Sequence, residues 1–378
     1  MARTSWRIYL GLILIIGGLV LFAWTVIRAQ SIGKPTATPR QLFASDSILY
    51  IETSDDFPIE PKALHPTRLQ INDQTLETPD LSLAHDISAR TTGLYYFDER
   101  KKLVVEAGVQ DLEFTRVDNS DLSGYFLASL PGKKIVWSRG DFSNGETRAQ
   151  LLIATVAEPT NRVIHTQTLV GQQTFVPLAW SSDDQTLWYG QFDLDKQAAG
   201  VKTYSKIFQV KVDGVPDDQG LSDRELAFPA KHLRAIGLDP NNGRAFFVSS
   251  DDEDTAVTEG PALFVLDLLT EDVKTISLPE GFPLVSSFAA SEEFVALNVR
   301  SGDQKNDKIF WVNLTSGLTH SLAETQERQT VVGFLNGDLL LSRGGPERGT
   351  FRISLGGGVE SRVHDWRAVA IVGQKIFN

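Results

Sequence analysis

Ala179-Trp180-Ser181-Ser182-Asp183-Asp184-Gln185-Thr186-Leu187-Trp188-Tyr189 reads as a short apolar strand, a polar turn and a second strand. Serine and aspartate reverse a chain readily, because their side chains hydrogen-bond to nearby backbone and aspartate tolerates positive φ. The figure recurs. Leu178-Ala179-Trp180 has counterparts in Ala235-Ile236-Gly237, Phe288-Ala289-Ala290 and Val332-Gly333-Phe334. Turns follow at Asp239-Pro240-Asn241-Asn242-Gly243, Ser291-Glu292-Glu293 and Asn336-Gly337-Asp338, and each leads into a β-rich run such as Phe294-Val295-Ala296-Leu297. Weaker copies lie at 86–97 and 127–137.

A second kind of hairpin follows each of these. Ile207-Phe208-Gln209-Val210, Leu263-Phe264-Val265-Leu266, Ile309-Phe310-Trp311-Val312 and Phe351-Arg352-Ile353 open the clearest examples. The hairpins recur every 47 residues or so (about the length of a four-stranded propeller blade). The expected fold class is therefore all-β: a β-propeller of seven four-stranded blades, six and eight being the neighbouring counts. A β-sandwich, or two, is the competing all-β arrangement, since its strands also carry turn signals at short intervals. The fixed alternation of two hairpin types favours the propeller.

The stretch 179–189 resembles the repeat of the TolB-type, WD40-like propellers of bacterial envelopes. That repeat runs apolar-Trp-Ser-Pro-Asp-Gly, two variable residues, then apolar and aromatic. Ser182 stands where proline is usual and Asp184 where glycine is usual, and Leu238-Asp239-Pro240-Asn241-Asn242-Gly243 is a looser copy. The resemblance spans most of 41–378 and implies a fold without an activity, because propellers host many unrelated functions. Residues 181–188 also partly resemble the Asp box of sialidase propellers, Ser-x-Asp-x-Gly-x-Thr-Trp. Gln185 replaces the glycine and Leu187 the threonine, and the sequence offers no second copy. In that family the box is a structural turn.

The net charge of −12 over 378 residues argues against a nucleic-acid partner, since phosphate contacts need a basic face. The absence of cysteine removes disulfides, thiolate zinc sites and thiol nucleophiles together. Residues 8–27 carry no charge, and about 20 such residues suffice to cross a bilayer core as a helix. Trp6, Tyr9 and Trp24 sit where interfacial aromatics belong. A cleaved signal peptide is the other reading, but its apolar region is usually shorter, about 7–15 residues. The expected organisation is a cytoplasmic N-terminus at 1–7, a signal-anchor transmembrane helix at 8–27, a proline-containing stalk at 28–41 and the propeller at 42–378. The propeller would then lie outside the cytoplasm on a single-pass membrane protein. A ring of sheets must join its first and last segments or leave an edge open, so the strand near 368–377 is expected to pair with 42–51.

No catalytic or cofactor-binding residue is assignable. The six histidines form no metal-binding spacing, and no nucleophile elbow or phosphate loop is present. Asp251, Asp252 and Asp254, in a run of four acids, are the weak metal candidates, although blocks of like charge are usually solvated. Asn313-Leu314-Thr315 fits the N-glycosylation pattern. The leading functional expectation is a non-enzymatic binding or scaffold module of the cell envelope, without cofactors. Its partners would be the lipid bilayer, through the helix, and an envelope protein or polymer. The alternative is an envelope enzyme acting on a glycan or other polymer at the central channel mouth. Carboxylates and arginines at that mouth would favour the enzyme, and an aromatic rim the binding module.

Overall fold

The computed structural model describes residues 43–53, 66–76, 84–91, 93–98, 103–107, 112–113, 125–129, 134–155, 162–194, 201–212, 224–249, 261–356, 358–372 and 374. The chain divides into Met1–Arg40 and Gln41–Asn378, and every described residue belongs to the second part. The expected anchor at 8–27 therefore lies outside the described residues. Among those described, no helix is long and apolar enough to cross a membrane.

The fold is all-β, built from antiparallel four-stranded modules in chain order. Module I is completed from the far end of the chain: Arg367–Ile371 lies inside Ile48–Thr53, followed by Pro66–Ile71 and Gln74–Leu76. Modules II to VII occupy 84–113, 126–170, 173–225, 233–277, 284–321 and 329–364. Modules IV and V are joined into one hydrogen-bonded path through Tyr204 and Ala235. The expected pairing of the two chain ends is present, with Ile48 opposite Ile371, Leu49 opposite Ala370 and Tyr50 opposite Ala368.

The core is divided among the junctions between modules. Seven apolar clusters lie between successive modules, and one of them joins VII back to I through Val332, Leu340, Ile48, Tyr50 and Ile371. The packing order is therefore cyclic. The stretch at 179–189 shows why its apolar residues are needed. Trp180, Leu187 and Tyr189 are buried against Val136, Leu151 and Ile153 of module III, and the Trp180 indole donates to the Leu127 carbonyl at 3.3 Å. Two glycines sit at close approaches. A Cβ on Gly333 would lie 2.8 Å from Ile371 Cδ1, across the VII–I junction, and one on Gly190 would lie 2.6 Å from the Tyr204 ring.

A regularity appears that no residue pattern announces. The first two strands of every module except III are out of register by a bulge at a similar position: Leu49/Tyr50, His85/Ser88, Pro177/Ala179, Ala235/Gly237, Val285/Ser287 and Val331/Gly333. Bulges increase local twist, so each innermost strand is bent in the same way against its neighbours. Turn chemistry repeats too. Asp267 caps the backbone N–H groups of Leu269 and Thr270, and Asn313 caps those of Thr315 and Ser316 in the corresponding turn of module VI. The carboxamide oxygen of the glycosylation-like Asn313 thus serves as a turn cap.

Candidate functional site

The innermost strands end together. Arg90, at the end of Ala84–Arg90, donates to the carbonyls of Ala128, Ala89 and Gln374 at 3.1–3.3 Å. Gln374 in turn donates to the Phe334 carbonyl at 2.7 Å. This end is a latch of buried backbone carbonyls around one cation. Burial, offset only in part by the Tyr95 hydroxyl and the Asp184 carboxylate, pushes the Arg90 guanidinium down to about 10.

The opposite end, where the innermost strands begin, carries charge. Asp307 begins Asp307–Asn313 of module VI and is fully buried. Arg300 Nε reaches its Oδ1 at 2.8 Å and Arg328 Nη1 the same oxygen at 3.1 Å. Asn298 Nδ2 and the Gln329 backbone N–H donate to Oδ2 at 2.9 and 3.1 Å. A carboxylate with this many donors is compensated for its burial. Gln329 begins the innermost strand of module VII, so Asp307 fastens VI to VII.

Next to it the signs invert. Arg343 ends Asp338–Arg343, and its guanidinium meets Glu360 in a two-pronged contact, both distances 2.9 Å. Glu327 lies 3.7 Å from its Nε and Glu347 3.8 Å from its Nη1. The Phe351 ring lies beneath it, 4.3 Å away. Gln329 links the clusters, because its Oε1 accepts from Arg343 Nη2 at 3.4 Å. Four carboxylates and three arginines are thus gathered at one end of two modules. Glu327, Glu360 and Arg328 each keep about a quarter of their side chains open to solvent, at 22, 28 and 28%. Such groups can exchange protons with a ligand and stabilise charge on it.

Arg367 begins the innermost strand of module I at the same end, and burial pushes its guanidinium down to about 10.

None of these residues was singled out in the sequence. They come from turns and strand termini far apart in the chain, and their shared signal is only a charge closing or opening an apolar strand. The weak metal candidates Asp251, Asp252 and Asp254 lie outside the described residues. Among those described, no group of three histidines, aspartates or glutamates is arranged to hold a metal.

The Asp-box-like turn is placed as a structural cap, with Thr186 N–H donating to Ser181 Oγ at 2.9 Å and Gln185 N–H to Asp183 Oδ1 at 3.0 Å. The same pair of turn hydrogen bonds recurs at a Ser-x-Asp that lacks the rest of the box. In 301–306, Asn306 N–H donates to Ser301 Oγ at 3.0 Å and Lys305 N–H to Asp303 Oδ1 at 3.1 Å. It joins the second and third strands of its module, whereas the turn at 181–186 joins the first and second.

No family model matches the sequence, and no curated protein matches it. The fold does have solved relatives. An oligogalacturonate lyase in complex with manganese is similar over 83% of this chain and 96% of its own, at 11% identity and a TM-score of 0.53. An acylaminoacyl peptidase from Pyrococcus horikoshii is similar over 85% of this chain and 52% of its own, at 11% identity and a TM-score of 0.53. TolB from Acinetobacter baumannii also matches, over 76% of this chain and 65% of its own, at 14% identity and a TM-score of 0.44. The TolB-like resemblance holds at the level of fold. The expectation of a non-enzymatic scaffold does not. The fold is shared with a lyase and a peptidase, so the lack of a linear catalytic motif is no argument against catalysis. Side chains that several modules bring to one end leave no such motif.

Proposed function

We propose that the chain is an envelope enzyme acting on a glycan or other polymer, with its site where the innermost strands begin. In this reading the seven modules are the blades of a closed propeller, and the charged end is the mouth of its central channel. Residues 8–27 hold the molecule in a membrane by one pass, with the propeller outside the cytoplasm and no nucleic acid among its partners. The observation that carries the catalytic reading is the gathering of four carboxylates and three arginines at that end. Glu360 and Glu327 flank one guanidinium and are the proton-transfer groups, while Arg343 and Arg328 stabilise negative charge that develops on the substrate. Asp307, fully buried, is a positioning residue. The similarity to an oligogalacturonate lyase, whose length this chain nearly spans, makes acidic polysaccharide the first substrate to try.

The test uses the full-length chain in detergent with polygalacturonate and with peptidoglycan, following new chain ends over time. Turnover of one polymer is expected, falling by about 10²-fold in Glu360→Gln with an unchanged melting temperature. Absence of turnover on both polymers, or a Glu360→Gln variant as active as its parent, would overturn the reading.

A further inference from the structure

A groove of about 480 Å³ borders the carboxylate–arginine cluster, lined by Gln70, Arg362, Val363, His364, Asp365 and Trp366. It runs between the last strand of module VII, Glu360–His364, and module I. Its size falls in the range of small-molecule sites. Its walls are fixed in advance. The His364 ring stacks on Tyr50 with centroids 4.0 Å apart, and Trp366 meets it edge-on at 5.8 Å. The Trp366 backbone N–H donates to His364 Nδ1 at 2.9 Å, which leaves the neutral imidazole its proton on Nε2. Thr350 holds the next turn of chain, donating to the Trp366 carbonyl and accepting from Ala368 N–H, both at 2.7 Å. Arg362 is braced by the Arg348 carbonyl at 2.6 Å and by Asp365 at 3.1 Å. Walls ordered before binding spare a ligand the entropy of ordering them.

We propose that this groove is a subsite for a pyranose unit of a glycan. Sugar hydroxyls are donors and acceptors at once, and the groove offers both kinds of partner: the Asp365 carboxylate accepts, the Arg362 guanidinium donates, and the Gln70 amide does either. The apolar face of a pyranose ring needs an aromatic surface, and Trp366 with His364 supplies one. The carboxylate disfavours a phosphate in the same place. The subsite deepens the glycan-directed reading of the charged end and rests on it for the class of polymer. It would hold a substrate chain beyond the reacting unit.

Calorimetric titration of the full-length chain in detergent with cellohexaose, maltohexaose and hexagalacturonate tests this. Saturable binding of at least one is expected. Trp366→Ala should weaken it by about tenfold, the worth of one aromatic contact. Asp365→Ala, whose side chain is 84% exposed and whose loss leaves the fold alone, should weaken it severalfold. Binding of none of the three, or equal binding by both groove variants, overturns the subsite. Binding that disappears in Trp366→Ala while no polymer is turned over keeps the subsite and removes the catalytic reading. Turnover with an unchanged KM in Trp366→Ala does the reverse.

Discussion

The two ends of the innermost strands solve the same problem, burying cations between modules, in opposite ways. At the closing end one arginine, Arg90, is held by neutral carbonyls from modules I, II and III. At the opening end Arg300 and Arg328 share Asp307, while Arg343 meets Glu327, Glu347 and Glu360, so the loss of one of its carboxylates leaves others in place. A cation held by backbone carbonyls has no stand-in, whereas the ion pairs of Arg343 are redundant and keep Glu327 and Glu360 about a quarter exposed for chemistry. The difference makes the closing end the one that a single substitution should damage more.

The strongest way to break the comparison is to remove residues 369–378. That deletion takes Ile371 and Val372 out of two clusters, opens an edge on Ile48–Thr53 and strips Gln374 from the latch. Two buried aliphatic side chains alone are worth about 3–6 kcal/mol, a large share of a domain's net stability of about 5–15 kcal/mol. Loss of cooperative thermal unfolding is expected; melting within a degree or two of the parent would refute cyclic closure. Next comes Arg90→Ala. It leaves carbonyls of three modules without their donor, for about 3–5 kcal/mol in denaturant titration. At the opening end, Asp307→Asn should cost less, about 2–3 kcal/mol, because Arg300 and Arg328 retain partial access to water. If it destabilises more than Arg90→Ala, the contrast between latch and network is wrong. Glu347→Gln, at an exposed rim position (74%), should change stability by less than about 1 kcal/mol.

The smallest effect compares the twin turns, which lie at opposite ends. Hydrogen bonds from the serine hydroxyl and a backbone N–H hold the Asp183 and Asp303 carboxyls below their ordinary value of 3.8. A folded pKa below the unfolded one stabilises fully above the ordinary value, and that stabilisation disappears as pH falls through the folded pKa. The melting difference between the parent and Ser181→Ala should therefore shrink below about pH 3.8. Ser301→Ala should behave alike, and a gap that stays constant into acid would refute the account.

The sequence carries the modules far better than the site. Hairpins such as 179–189 announce themselves because strand and turn chemistry act over a few residues, and the pairing of the chain ends follows from the need to cover an edge. The bulges are silent, since residues as different as Leu178, Val332, Ile236 and Ser286 occupy them. Silent too is the charged end. Arg343 sits in an apolar strand, Glu360 opens another strand and Glu327 ends a turn, and only the packing of modules gives them a common address. The second Ser-x-Asp cage was readable at Ser301-Gly302-Asp303, but it sits in a turn of a different order within its module.

The pairing of Ile48–Thr53 with Arg367–Ile371 also sets a timetable for synthesis. Asp46 and Gln374 touch although they are 328 positions apart. An emerging chain therefore carries one side of its first sheet bare until almost the whole domain has been translated. Contacts between distant parts of a chain form slowly, and unpaired strand edges invite association with other chains. A ribosome that stalls anywhere in modules II to VII releases a product that is sticky rather than merely incomplete, so the cell's quality control has one late event to watch.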